Sequence, residues 1–163
     1  MNLVNTKILF VCSGNVFRSM SAEYSLKKYC ELHKIIDISV ESAGTHSDKE
    51  QDIRIEVVDE FRRFGVDVSK HNPRKLTKEM LDNNDLIVSM GLNHRKFIKE
   101  KFGYHSVLFE EVCLGNKEPI LDNNESLKDY TIYSWRSEQF NRQMVRNIWN
   151  DIPLFVKNYK KFI

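Results

Sequence analysis

The run Lys7-Ile-Leu-Phe-Val-Cys12 constrains this chain more than any other segment. Unbroken apolar sequence of strand length, without polar alternation, suits a parallel β-strand covered on both faces. Ser13-Gly14-Asn15 ends the run, and from Ser19 onward Ala22, Leu26, Tyr29 and Cys30 recur at helical spacing. A buried strand, a short polar loop and an amphipathic helix therefore open the protein.

The rest of the chain repeats this alternation. Ile36 to Val40 reads as a second strand closed by Ser42-Ala-Gly-Thr45, and Ile53, Val57, Phe61 and Phe64 mark a helix stopped by Gly65. Asp85 to Met90 is a third strand, followed by a charged helix from about Asn93 to Phe102 with Gly103 beyond it. Val107 to Phe109 is a short fourth strand. The stretch from Gly115 to Trp135 is polar and aperiodic, and reads as a long ordered loop of functional interest. Phe140, Met144, Ile148 and Ile152 mark a closing helix, with a kink or restart expected at Pro153. Strands alternating with helices predict an α/β fold, a three-layer doubly wound parallel sheet with flanking helices. Ligands in such folds bind beyond the carboxyl ends of the strands, where strand order reverses. With 163 residues the chain is expected to form one domain over positions 1–163.

Composition narrows the function. Lys and Arg number 25 against 23 Asp and Glu, so a net charge of +2 gives no strong pull toward nucleic acid or anionic membranes. No apolar run approaches the length of a membrane span. Three scattered cysteines fit reduced thiols in a cytoplasm, and the five histidines show no ligand spacing, so neither metal nor cofactor is expected.

The chemistry concentrates in Cys12-Ser-Gly-Asn-Val-Phe-Arg18-Ser19, a cysteine followed after five residues by an arginine. That spacing is weak by itself, and its position at a strand–loop–helix junction makes it informative. Backbone N–H groups and a helix N-terminus can converge there on an anion. Gly14 permits close backbone approach, and Arg18 offers a planar fork of donors to phosphate oxygens. Amide dipoles and the guanidinium would both stabilise a thiolate at Cys12.

Phe10-Val-Cys-Ser-Gly-Asn-Val-Phe-Arg-Ser19, with Ala22-Glu23 after it, resembles the signature of the low-molecular-weight protein tyrosine phosphatases. Ser42-Ala-Gly-Thr45, Gly65 to His71 with Arg74, Asp85 to Met90 and an acidic loop before the last helix follow in the family's order. The resemblance implies a four-stranded parallel sheet and a phosphate-binding loop after the first strand. It implies that Cys12 attacks phosphorus to form a phosphocysteine, while Arg18 and the amides from Ser13 through Gly14, Asn15, Val16 and Phe17 to Ser19 hold the phosphoryl oxygens. Ser19 would support the departing thiolate, and Asn15, Ser42 and His71 would brace the loop. The family's general acid is an Asp followed by Pro and an aromatic residue. This chain has no Asp-Pro, so Asp129, next to Tyr130, is the first choice; Asp122 is second and Glu118, before Pro119, is third. Tyr130 and Tyr133 are candidates for an aromatic wall beside the substrate.

Three departures from the family pattern stand out. Phe17 replaces the cysteine often found before the arginine, Met20 replaces a Pro, and Gly91 replaces the Asp usual after the third strand's Met. Val16 resembles the tyrosine-phosphatase branch, whereas the related protein-arginine phosphatases have a threonine there. The implied partner is a phosphotyrosine-containing protein, and bacterial relatives often act on tyrosine kinases of polysaccharide export. The alternatives are a protein-arginine phosphatase, an arsenate reductase on the same scaffold, and a catalytically weak phosphoprotein-binding module. The reductase needs relay cysteines near the active loop, where none stands between Leu81 and Phe102.

Overall fold

The computed structural model describes residues 4–47, 51–115, 117–121 and 134–163. The apolar run forms β1 (Thr6–Cys12), and its alternating side chains feed two different cores. Ile8, Phe10 and Cys12 pack with Ala22, Leu26 and Phe155, while Leu9 and Val11 pack with Leu81, Ile87 and Ile98. Both faces of β1 are covered, which is why its sequence shows no polar alternation. Phe10 is fully buried, and truncating it to alanine would cost about 3–5 kcal/mol.

β2 (Ile38–Gly44), β3 (Leu86–Ser89) and β4 (Val107–Leu108) complete a parallel sheet in the order β2-β1-β3-β4. From β1 the chain passes outward to β2 on one side, and β3 pairs on the other. Strand order thus reverses between β1 and β3, and the loop after β1 lies at that reversal. Helices α1 (Arg18–Leu32), α5 (Phe109–Leu114) and α6 (Ser134–Asn158) cover one face. Helices α3 (Lys78–Asn83) and α4 (Leu92–Phe102) cover the other. Helix α2 (Ile55–Arg63) is held by helices: Val57 and Phe61 pack on Met20 and Val145, and Glu60 accepts hydrogen bonds from Arg142 and Arg146 at 3.3 and 3.0 Å.

Several element boundaries differ from the sequence-based expectation. Phe109 opens α5 instead of ending β4, because its ring stacks on Phe155 (5.7 Å between centroids) and Glu111 caps the helix by accepting from the Leu108 N–H at 3.2 Å. The six residues of α3 are too few to display a helical period, and Thr77 starts them by accepting from the Met80 N–H at 3.2 Å. Gly115 is the left-handed cap of α5 (φ 75°) and Trp135 already belongs to α6, which shortens the expected loop at both ends. Helix α6 continues through Pro153 without a restart. Proline removes one backbone donor there, but Ile152 and Phe155 on either side are buried in the core, and that packing carries the helix across the gap.

Candidate active site

The loop between β1 and α1 is built so that its carbonyls face outward. The Cys12 carbonyl accepts from the Thr45 N–H (2.8 Å) and the Ser13 carbonyl from the His46 N–H (2.9 Å). The Gly14 carbonyl accepts from the Ser47 hydroxyl (2.7 Å) and the Asn15 carbonyl from His71 Nε2 (2.7 Å). Among the described residues none of the backbone N–H groups from Ser13 to Phe17 donates a hydrogen bond. Carbonyls anchored on the outside and amides left on the inside make a concave donor surface, the arrangement that cradles an oxyanion. The start of α1 adds its own first-turn amides, and its N-cap residue Phe17 offers no side-chain acceptor to them.

Cys12 lies at the base of this surface, 2% exposed, with Sγ 2.9 Å from the Ser19 hydroxyl oxygen. The direction of that hydrogen bond follows from its neighbours. Ser19 Oγ already accepts from Asn15 Nδ2 at 2.8 Å, and its other hydrogen-bond partner among the described residues, the Ala43 carbonyl, is 3.5 Å away. The Ser19 hydroxyl is therefore placed to donate to the sulfur, the nearer of its two possible acceptors. Arg18 is buried beside it, and its Nη1 donates to the Ile120 carbonyl at 2.9 Å.

Asn15 holds the loop's shape. It adopts a left-handed backbone (φ 57°), which costs energy for any residue with a side chain, although less for Asn than for most. Both Nδ2 hydrogens are used, on Ser19 and on Ser42 Oγ (2.8 Å each), and Oδ1 accepts from the Arg74 N–H at 3.0 Å. Ser42 in turn donates a short hydrogen bond to the Glu23 carboxylate, and Lys27 pairs with Glu23 from the next turn. Burial pushes the His71 imidazole down from its ordinary range, opposed by its hydrogen bond to Asn15, so a neutral ring donates through Nε2. Gly44 lets β2 approach: a Cβ there would overlap the Ser13 carbonyl and the Ser47 hydroxyl.

The structure thus brings together Cys12, Ser13, Gly14, Asn15, Val16, Phe17, Arg18, Ser19, Ser42 and His71. Phe17 turns its ring toward the cluster of Met20, Val57 and Phe61, so no thiol stands beside Cys12 from that position. Asp129, Asp122, Tyr130 and Tyr133 lie outside the described residues. Glu118 is exposed and lines a cleft with Glu110 and Asp151. The sequence reading assigned no role to Glu23, Arg74, Gly44, His94 or the Ile120 carbonyl. A signal for Glu23 was present: Ser19, Ala22, Glu23 and Leu26 share one helical stripe, and a carboxylate on a buried stripe asks for a partner. His94 shares a stripe with Ile98 in the same way. The Ile120 carbonyl carries no sequence signal at all.

Comparison with known proteins gives one family. The model described as low molecular weight phosphotyrosine protein phosphatase matches residues 7–110. The low molecular weight protein-tyrosine-phosphatase Ptp of Acinetobacter johnsonii is 34% identical over 98 residues, covering 60% of this chain and 65% of that one. A protein-arginine-phosphatase of Bacillus subtilis is 27% identical over 148 residues, covering 88% and 97% respectively. Among solved structures, the arginine phosphatase YwlE with a phosphorylated active-site serine superposes with a TM-score of 0.79 at 22% identity, over 93% of this chain and 94% of that one. At that identity the superposition speaks for the fold.

Proposed function

Because the chain belongs to the low-molecular-weight phosphotyrosine protein phosphatase family, we propose that it hydrolyses phosphotyrosine in proteins through a phosphocysteine on Cys12. The observation that carries this reading is the pairing of a Cys12 sulfur, 2.9 Å from the Ser19 hydroxyl, with a loop whose carbonyls from Cys12 to Asn15 are anchored by other segments.

In the first step the phosphoryl group sits on the inward amides and Arg18, which match the three equatorial oxygens and strengthen as charge develops on them. The Cys12 thiolate attacks phosphorus as the phenolic oxygen leaves, and that oxygen takes a proton from a carboxylic acid. Asp129 is the proposed acid, on its place ahead of α6 and its aromatic neighbour; Asp122 and Glu118 are the alternatives. In the second step the same carboxylate removes a proton from water, water attacks phosphorus, and the sulfur leaves as a thiolate stabilised by the Ser19 proton. Phosphate is released and the enzyme is restored. None of these steps calls on a metal. The chain as a whole is proposed to form one such domain acting in the cytoplasm, with a phosphotyrosine protein, such as a bacterial tyrosine kinase, as its substrate.

The long alignment with a protein-arginine-phosphatase supports a second reading, cleavage of a phosphorus–nitrogen bond by the same cysteine. Val16 favours the first: a β-branched apolar side chain in the cradle offers an aromatic leaving group contact and gives a guanidinium no hydrogen bond.

The test is hydrolysis of para-nitrophenyl phosphate without added metal, comparing wild type with Cys12→Ser and Asp129→Ala, followed by phosphotyrosine and phosphoarginine peptides. Turnover abolished by Cys12→Ser and strongly reduced by Asp129→Ala supports the mechanism. An unimpaired Asp129→Ala moves the acid to Asp122 or Glu118. Preference for the phosphoarginine peptide selects the second reading. Vanadate binding without turnover would make the chain a phosphoprotein-binding module, and thioredoxin-coupled turnover of arsenate would make it a reductase.

A further inference from the structure

His94 stands in the first turn of α4, is 1% exposed, and takes no part in anchoring the loop's carbonyls. Its Nε2 lies 2.9 Å from Ser13 Oγ, so it reaches the loop from α4. Its Nδ1 is buried with no hydrogen-bond partner among the described residues. The ring lies next to Gly91. A Cβ built on Gly91 would stand 2.8 Å from Asn93 Oδ1 and 3.2 Å from both Nδ1 and Cε1 of His94, closer than such contacts comfortably allow. An aspartate at position 91, the family's usual residue, would thus require Asn93 and His94 to shift from this pose.

The protonation of the ring decides what the pair can do. Burial first, then the Arg18 charge and His46, lower His94 to about 3, so it is neutral at any ordinary working pH. A neutral imidazole carries one N–H. Leaving a buried N–H without an acceptor is rarer in proteins, and costlier, than leaving a lone pair without a donor. With Nδ1 the unpartnered atom, the proton belongs on Nε2, and Ser13 Oγ accepts it. The Ser13 hydroxyl hydrogen is then directed away from His94. The Ser13 carbonyl is meanwhile fixed by the His46 N–H at 2.9 Å, so the residue cannot swing out of the loop.

We propose that His94 is a positioning residue that makes the Ser13 hydroxyl a donor to the phosphoryl group, in a chain that has Gly91 where the family carries an aspartate. The proposal rests on the oxyanion-cradle reading above. Its physical consequence is electrostatic: a carboxylate beside the cradle would repel a dianion, whereas a hydroxyl oriented by a neutral imidazole donates to it. The pair contributes a side-chain donor alongside the loop's amides and Arg18.

The experiment measures orthovanadate affinity by calorimetry, and kcat and KM on para-nitrophenyl phosphate, for Ser13→Ala, His94→Leu, the double variant and His94→Gln. A thermal melt of each variant checks folding. A hydrogen bond to a charged group implies a roughly ten- to hundredfold loss of vanadate affinity and of kcat/KM in each single variant. The double variant should be no worse than the weaker-binding single one. His94→Gln, which places an amide N–H near the Nε2 position, should recover most of the loss. Wild-type affinity in Ser13→Ala, losses that multiply in the double variant, or a His94→Gln as impaired as His94→Leu would each overturn the proposal. If His94→Leu does not fold, Ser13→Ala decides alone, since residue 13 is only half-buried. Should wild type bind vanadate but hydrolyse nothing, the hydrolase reading fails while the affinity series still judges the pair.

Discussion

Asn15 is the side chain on which the shape of the cradle depends, and replacing it separates two effects that act there together. Asn15→Ala removes three side-chain hydrogen bonds, to Ser19 Oγ, Ser42 Oγ and the Arg74 N–H. At about 1 kcal/mol net for each bond, the loss is about 3 kcal/mol. Alanine must also hold φ at 57°, a left-handed conformation worth about 1 kcal/mol against a residue with a Cβ but no local hydrogen bond. The expected total is about 4 kcal/mol for Asn15→Ala and about 3 kcal/mol for Asn15→Gly, which is free of the backbone cost. Urea unfolding followed by far-ultraviolet circular dichroism reads both values. The same variants should lose about 100-fold in kcat on para-nitrophenyl phosphate, because Ser19 loses the donor that directs its proton to Cys12 and the loop shifts under its ligand. A loss of stability below about 1 kcal/mol in Asn15→Ala would show that the network relaxes around the gap. Equal stability of the alanine and glycine variants would show that the left-handed backbone at residue 15 is not under strain.

Further expectations follow from other parts of the structure. Gly44→Ala drives a methyl group into the Ser13 carbonyl and should lower kcat/KM at least tenfold, with a smaller effect on the melting temperature; unchanged kinetics would refute the close approach of β2 to the loop. Glu110 is raised to about 7 by burial, by Asp151 and by Glu118, so the folded protein keeps a proton that the unfolded chain releases above its ordinary 4.5. Stability from this group is complete below pH 4.5 and is lost as pH rises through 7, by about 2 kcal/mol after solvent screening of a half-buried carboxyl. Glu110→Gln should therefore be indistinguishable from wild type at pH 4 and more stable at pH 8; a constant difference across that range would refute the assignment. Phe17 packs away into the α2 cluster, and the other thiols, Cys30 and Cys113, are buried, so peroxide oxidation of Cys12 should pass beyond the sulfenic acid. Full recovery of activity in dithiothreitol would count against this.

The sequence by itself determined the sheet and the position of the Cys12–Arg18 loop after its first strand. A strand packed on both faces has to be apolar throughout, and that requirement is written into Lys7–Cys12 without ambiguity. The loop was equally legible, because a cysteine, five residues and an arginine at a strand–helix junction are contiguous in the chain. Short elements escaped for a local reason: α3 and α5 have six residues each, less than two helical turns, so no period can appear. The continuity of α6 through Pro153 escaped because local chemistry favours a break, and only the burial of Ile152 and Phe155 against other elements outweighs it.

What only the tertiary structure decided is the environment of the loop. Thr45, His46 and Ser47 come from just beyond β2, Arg74 from the segment after α2, His94 from α4, and the Ile120 carbonyl from beyond α5. Each meets the loop from a distant part of the chain. Long-range hydrogen bonds of this kind depend on where the sheet register and helix packing place two segments, and neighbouring residues in sequence carry no record of it. The side chains of the loop are a property of the chain, whereas the outward turn of its carbonyls, and hence the inward turn of its amides, is a property of the fold.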